Sequence, residues 1–156
     1  MSGKRARAAF TLIEVLIVVV IMAVLAATVI PQFSSSTKDA KESTLKFNLH
    51  SLRSQLELYK LHHLGATPDG TNDLEQLTKA TNASGVIGTP GVSFPYGPYC
   101  LNTIAVNPFT SSYKVRLDTG AAGTVPAASG ANDAGWIYRA ATGELWADHP
   151  DYISVF

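Results

Sequence analysis

An apolar run near the N-terminus constrains this chain more than any other feature. Residues 10–30 read FTLIEVLIVVVIMAVLAATVI, with Glu14 as the single charge. As a helix, this run would be about 31 Å long, close to the ~30 Å thickness of a hydrocarbon core. A helix that is apolar on every side must be surrounded by lipid or by other helices. Since a chain of 156 residues leaves too little to enclose it, we predict a membrane-spanning helix.

The charges around this run predict its orientation. The first nine residues contain Lys4, Arg5 and Arg7 and no acid. Basic residues mark the cytoplasmic flank of a membrane span, so we expect the N-terminus in the cytoplasm and the rest across the membrane. The whole chain has 12 basic and 12 acidic residues, and this balance gives no basic surface for nucleic acid.

Three interpretations of the apolar run remain open from its residues. It is a simple anchor, a signal peptide cleaved near Val24-Leu25-Ala26, or a helix that starts in the bilayer and later packs into an assembly. A charged group inside a spanning helix costs about 2.5–3.5 kcal/mol and usually has a partner and a function. Glu14 therefore favours the third interpretation.

Residues 9–14, AFTLIE, lie between a short basic leader and the apolar helix. This arrangement resembles the processing signal of type IV pilins and pseudopilins. The resemblance implies cleavage by a prepilin peptidase between Ala9 and Phe10, N-methylation of Phe10, and Glu14 as the fifth mature residue. Pro31 would be the twenty-second, where the family tends to carry proline. Ala9 replaces the usual glycine, so we expect slower processing.

The resemblance also suggests a role for Glu14 in subunit assembly. Cleavage would create a positive amino group on Phe10 at the edge of the lipid. An unpaired ion there is costly, and an opposite charge from a neighbouring subunit would relieve both groups. We therefore predict that Glu14 pairs with the Phe10 ammonium of a neighbour. The alternatives are an intrachain pair, or a protonated Glu14 at the lipid interface.

Pro31 predicts a kink or a loosened helix over residues 31–37, because proline removes one backbone hydrogen bond and crowds the preceding turn. The alternative is that the helix ends there. Apolar residues at steps of three and four argue for its continuation, and Gly65 is a natural stop. We call these residues the apolar stripe: Leu45, Leu49, Leu52, Leu56 and Tyr59. We predict one helix over about residues 11–64.

The remaining sequence predicts a small α+β domain. Asn72 and Glu75 have capping-box spacing, which indicates a short helix near 73–81. Residues 82–98 are typical of a structured loop, residues 113–117 alternate like a strand, and 118–134 predict an exposed loop. Residues 136–147 predict a hairpin with Gly143 at its left-handed position. We expect a small antiparallel sheet to cover the apolar stripe, as in a pilin-like fold.

The predicted organisation has four parts. Residues 1–9 form the prepilin leader and 10–30 the transmembrane and assembly helix. Residues 31–64 continue as an amphipathic helix, and 65–156 form a periplasmic domain.

Short matches within this domain favour one branch of the family. The strings LELYK at 56–60, NPF at 107–109 and GWIY at 135–138 resemble the major pseudopilins of type II secretion systems. A single cysteine, Cys100, cannot form the disulfide that closes a C-terminal loop in many adhesive pilins. The alternative is a type IV or minor pilin of an adhesive, motility or DNA-uptake filament.

The resemblance implies a bacterial inner-membrane protein that assembles into a periplasmic homo-oligomeric filament. Its expected partners are a prepilin peptidase, an inner-membrane assembly platform with a separate ATPase, and membrane lipid before assembly. Family members also bind calcium near the C-terminus, and the available oxygen ligands are Asn132, Asp133, Asp148 and Asp151. The sequence has no dense acidic loop, and the alternative is that these acids are solvated side chains in turns. We therefore make no firm prediction of a cofactor, and calcium is implied by the family resemblance alone.

The sequence offers little support for catalysis. His62 and His63 are adjacent on a helix and point in different directions, and His50 and His149 lack partners at ligand spacing. Cys100 is more typical of a small buried thiol than of a nucleophile. We predict a structural protein and not an enzyme.

Overall fold

The computed structural model describes residues 10–130 and 133–155. Ala9 of the predicted cleavage site and Asn132 of the calcium candidates lie outside the described residues. The chain divides into two compact units, Met1–Ala40 and Lys41–Phe156. Each unit is described separately below.

A single helix, α1, runs from Leu12 to His62, close to the predicted bounds. It is continuous through position 31, so the alternative that the helix ends at the proline is wrong. At its other end, Gly65 adopts a left-handed conformation (φ 88°) and its N–H donates to the Lys60 carbonyl (2.8 Å). This is the glycine stop that the sequence predicts.

In the first unit, side-chain hydroxyls on both sides of position 31 donate hydrogen bonds to backbone carbonyls of the helix. The hydroxyls of Thr28, Ser36 and Thr37 donate to carbonyls three or four residues earlier, at 2.9–3.0 Å. Such bonds compete with the backbone ladder and often accompany bending of a helix. The kink at Pro31 itself stays a prediction.

The predicted helix over 73–81 is wrong in its extent. A 3-10 turn covers Thr71–Asp73, and a short helix, α2, covers Glu75–Thr78. Leu74 lies between them in a left-handed conformation (φ 62°), which interrupts the helix. Asn72 does not cap a backbone N–H, because its side-chain amide donates to the Glu75 carboxylate instead (3.0 Å).

Two small sheets complete the second unit. Strands β1 (Ala80–Thr81) and β2 (Ile87–Gly88) pair antiparallel. Strands β3 (Val115–Leu117), β4 (Trp136–Arg139) and β5 (Glu144–Ala147) form the other sheet in that order.

The predicted hairpin is β4–β5, with Gly143 left-handed (φ 76°). The α+β class is confirmed, and the larger sheet is mixed because β3 runs parallel to β4.

The apolar stripe of α1 forms the centre of the core, as the periodicity predicts. Its five side chains are each at most 2% exposed. They belong to one buried cluster with inward-facing residues of the hairpin: Trp136, Tyr138, Leu145 and Ala147. The polar ends of these aromatic residues are satisfied, since Trp136 Nε1 donates to the Ala105 carbonyl (2.7 Å) and Tyr138 Oη to the Pro68 carbonyl (3.0 Å).

The opposite face of the sheet is also buried. Ile137 and Trp146 are directly opposite each other in the β4–β5 register and form a second cluster with Ile153. Ala128, from the segment that the sequence predicts as an exposed loop, packs against this cluster. Most side chains of that loop are exposed, yet part of it covers the sheet.

Arg139 lies on this outer face with its side chain only 1% exposed. Its Nε donates to Asp118 Oδ2 (2.7 Å), and its Nη1 donates to Glu144 Oε2 (2.9 Å). Its guanidinium carbon is 4.8 Å from the centre of the Trp146 ring. A buried guanidinium without partners would be strongly destabilising, so the two carboxylates are required for this packing.

We expect Leu52→Ala to lower the free energy of unfolding by about 2–5 kcal/mol, because it opens a cavity between α1 and the sheet. Leu61→Ala is the matched control on the same helix, since Leu61 is 77% exposed, and it should change stability by less than about 0.5 kcal/mol. Denaturant unfolding in detergent micelles measures both. Equal losses in the two variants would contradict the assignment of the core face.

We expect stability to fall in acid partly through Glu144. A hydrogen bond from the Thr142 hydroxyl, and then the Arg139 guanidinium, hold the pKa of this carboxyl below its ordinary value of 4.5. Glu144 therefore stabilises the fold above pH 4.5, and this contribution is lost as the pH falls through the lowered value.

Melting temperatures measured from neutral pH into acid should show a smaller loss for Glu144→Gln than for the wild type. Thr142→Val, which keeps the carboxyl but removes the leading hydrogen bond, should give an intermediate result. A pH profile of Glu144→Gln that parallels the wild type would refute this assignment.

Candidate assembly site at the N-terminal helix

The beginning of α1 presents only exposed side chains. Every residue over 10–30 is exposed, and the helix is long and apolar enough to cross a membrane. The core helix of a water-soluble protein can have this length and composition, but it would be mostly buried, whereas a signal sequence near the N-terminus shares all of these properties. An apolar surface of this extent marks contact with a membrane or with other proteins.

Thr11 and Glu14 form a reciprocal cap at the start of this helix. The backbone N–H of Thr11 donates to Glu14 Oε2 (2.7 Å), and the Thr11 hydroxyl donates to the same oxygen (2.8 Å). In return, the Glu14 N–H donates to the Thr11 hydroxyl oxygen (3.3 Å). This is a capping box, which satisfies N–H groups that have no partner within the helix.

The capping box gives Glu14 an intrachain role that our sequence analysis missed. The spacing Thr-x-x-Glu at a helix start is its signal, and here it lies inside the AFTLIE string. The two bonds accepted by Glu14 involve Oε2, so they do not engage Oε1. Phe10 lies directly before Thr11 with 85% of its surface exposed.

The described calcium candidates do not fit a calcium site. Asp148 is buried, and its two oxygens accept hydrogen bonds from Arg116 Nε (3.2 Å) and the Ser129 N–H (2.7 Å). Asp133 and Asp151 are exposed, and Asp133 accepts from the Ser129 hydroxyl (3.3 Å). Calcium takes about six to eight converging oxygens. Within residues 10–130 and 133–155, no three acidic, histidine or cysteine side chains gather to hold a metal ion.

The two adjacent histidines form different hydrogen bonds. His62 Nδ1 lies 3.0 Å from Tyr99 Oη. His63 is buried and stacks on the Tyr59 ring, with its ring nitrogens 2.8 Å from the Tyr59 carbonyl and 3.0 Å from Thr81 Oγ1. These contacts connect the end of α1 to β1 and to the loop that contains Tyr99.

Cys100 packs against the edge of the core, where it is partly buried. Burial raises the pKa of its thiol, so the reactive thiolate is disfavoured at neutral pH. This environment is typical of a thiol that contributes packing.

The N-terminal segment matches a known family. Residues 4–30 match the family described as the prokaryotic N-terminal methylation motif. The match includes the basic leader, Ala9, Phe10, the capping box and the exposed apolar run. The chain therefore carries an N-terminal methylation motif followed by an α+β unit.

Longer similarities extend into the second unit. The chain is 40% identical over 76 residues to the type II secretion system core protein G of Pseudomonas aeruginosa. The matched segment covers 49% of this chain and 53% of the relative. It is 35% identical over 83 residues to the protein of the same name from Vibrio cholerae, covering 53% and 56%. A Klebsiella pneumoniae protein of that name is 29% identical over 106 residues, covering 68% and 71%.

The chain thus spans about half the length of the first two relatives that it matches. No solved structure matches it. The motif and these relatives confirm the resemblance to the pilin and pseudopilin family that residues 9–14 predict. The three relatives to which the chain is similar share the name core protein G of type II secretion systems.

Proposed function

We propose that this chain is a structural subunit of a type II secretion pseudopilus, which assembles after processing and drives protein export. One observation carries the proposal: the methylation motif coincides with a helix whose residues 10–30 are all exposed and almost all apolar. A helix of this kind requires an apolar environment on every side. Both the bilayer and a bundle of identical helices provide one.

Assembly exchanges one apolar environment for the other. Before assembly, residues 10–30 span the bacterial inner membrane, with the basic leader in the cytoplasm and the second unit in the periplasm. In the filament, the same residues pack against helices of neighbouring subunits. The proposed partners are therefore membrane lipid, copies of this chain, a prepilin peptidase, and an assembly platform driven by a separate ATPase.

Glu14 is the proposed assembly residue. After cleavage at Ala9, the Phe10 ammonium of a neighbouring subunit would provide the opposite charge in an apolar surrounding. The capping box leaves Oε1 of Glu14 outside its two accepted bonds, so one carboxylate can cap its own helix and accept a partner's ammonium. This pairing would set the axial register between subunits.

We expect the mature protein from cell envelopes to begin at Phe10, with about 14 Da added by one methyl group. Mass spectrometry of its N-terminal peptide measures both changes, and Ala9→Gly should speed the cleavage. A mature chain that begins near Ala27 would instead identify a cleaved signal peptide, and the proposal would fail.

We expect Glu14→Gln to lose incorporation into filaments that contain wild-type subunits. Glutamine still forms a capping box, but it lacks the charge that pairs with an ammonium. Thr11→Val is the matched control, because it removes the capping hydroxyl, keeps the carboxylate and should still assemble. Cross-linking and filament pelleting report incorporation. Normal incorporation of the Glu14→Gln variant would rule out the charge pair. If Thr11→Val loses incorporation and Glu14→Gln does not, the role of Glu14 is capping of its own helix.

A chromosomal deletion identifies which machine uses the filament. Loss of extracellular enzymes with normal motility, adhesion and DNA uptake is the expected phenotype. Normal secretion of extracellular enzymes with a loss of motility, adhesion or DNA uptake would assign the subunit to a type IV pilus.

A further inference from the structure

The loop over residues 118–130 has few side chains that could hold it in place. Its sequence, DTGAAGTVPAASG, consists mostly of small residues, and most of them are exposed. Yet Ala128 packs on the outer cluster of the sheet, and Pro126 is buried. Since small side chains bury little apolar area, other interactions must hold this loop in place.

Arg139 of β4 holds the first half of the loop. Its guanidinium donates to the Asp118 carboxylate and, through Nη2, to the Thr124 carbonyl (2.9 Å). The guanidinium is buried, so these bonds are shielded from solvent. Hydrogen bonds from a charged donor are among the stronger ones in proteins.

Arg116 of β3 holds the second half. Its Nη2 donates to the Ala127 carbonyl (2.6 Å), and its Nε donates to Asp148 Oδ2 (3.2 Å). The other Asp148 oxygen accepts the Ser129 N–H (2.7 Å). Residues 127 and 129 are therefore connected through a single arginine–carboxylate pair.

The two arginines lie on the same face of the sheet. Arg116 is opposite Ile137 in the parallel β3–β4 register, and Arg139 is two residues further along β4. Side chains at alternate positions share a face, so both guanidinium groups flank the Ile137 and Trp146 cluster. The loop crosses this cluster and is bound on both sides.

We propose that these two arginines fix the loop over the sheet and replace a bound calcium ion in that role. The family resemblance implies a calcium site near the C-terminus, and the described acids do not fit one. Both carboxylate oxygens of Asp148 already accept hydrogen bonds, one from the Arg116 guanidinium and one from the Ser129 N–H. A divalent cation would have to displace Arg116 or lie beside its positive charge, which is unfavourable.

The test compares calcium with a chelator and then removes the arginine. Thermal unfolding of the full mature chain in detergent is followed by circular dichroism, with either millimolar calcium or excess EGTA. Limited digestion with elastase, mapped by mass spectrometry, reports opening of residues 118–130. The variants are Arg116→Gln, Asp148→Asn and their combination, and Lys114→Gln is the control that removes an equal charge just before β3.

We expect the wild-type melting temperature to agree within about 1 °C in calcium and in EGTA. Arg116→Gln and Asp148→Asn should each lower it by about 5 °C and speed cleavage of the loop. The double variant should lose less than the sum, because the two residues share one interaction. Lys114→Gln should behave as the wild type.

Two results would overturn the proposal. One is a saturable rise of several degrees in the wild-type melting temperature with calcium. The other is normal stability and normal elastase resistance in Arg116→Gln. If Arg116→Gln does not fold, the wild-type calcium titration and the milder Arg116→Lys variant still decide, since lysine keeps the charge but loses the two-pronged contact.

Discussion

The second unit depends on the contact between the apolar stripe of α1 and the inner face of the β4–β5 hairpin. Five helix side chains, spaced three and four residues apart, pack against hairpin side chains spaced two residues apart. Together they form one continuous buried cluster. Trp136 and Tyr138 are among the largest fully buried side chains, and their polar atoms donate to backbone carbonyls of the surrounding loops. The loops are therefore positioned by the same residues that form the core.

Features set by local periodicity could be predicted from the sequence. The helix, its glycine stop, the apolar stripe and the Gly143 hairpin follow from spacing within a few residues. The parallel pairing of β3 could not be predicted, because it depends on where the connection over residues 118–135 returns. The short length of α2 could not be predicted either, because Leu74 adopts a left-handed conformation that is uncommon for leucine.

The candidate site shows the same division. The string AFTLIE indicates Phe10 and Glu14 through the family resemblance, and its Thr-x-x-Glu spacing is also the signal for the capping box that the hydrogen bonds of Thr11 form. The loop over 118–130 was predicted as exposed from its composition, and its small residues gave no sign of the buried Arg139 or the Arg116–Asp148 pair. Long-range charge pairs leave no pattern in a sequence, because their partners are 21 and 32 residues apart.

Burial of the sheet on both faces has a practical consequence for labelling this protein. A glycine- and alanine-rich segment is the usual choice for inserting an epitope tag or a fluorophore site, and residues 118–130 look suitable by that criterion. Here an insertion would lift the cover from Ile137 and Trp146. The turn around Val92 is the better choice, because this side chain is fully exposed and belongs to neither buried cluster.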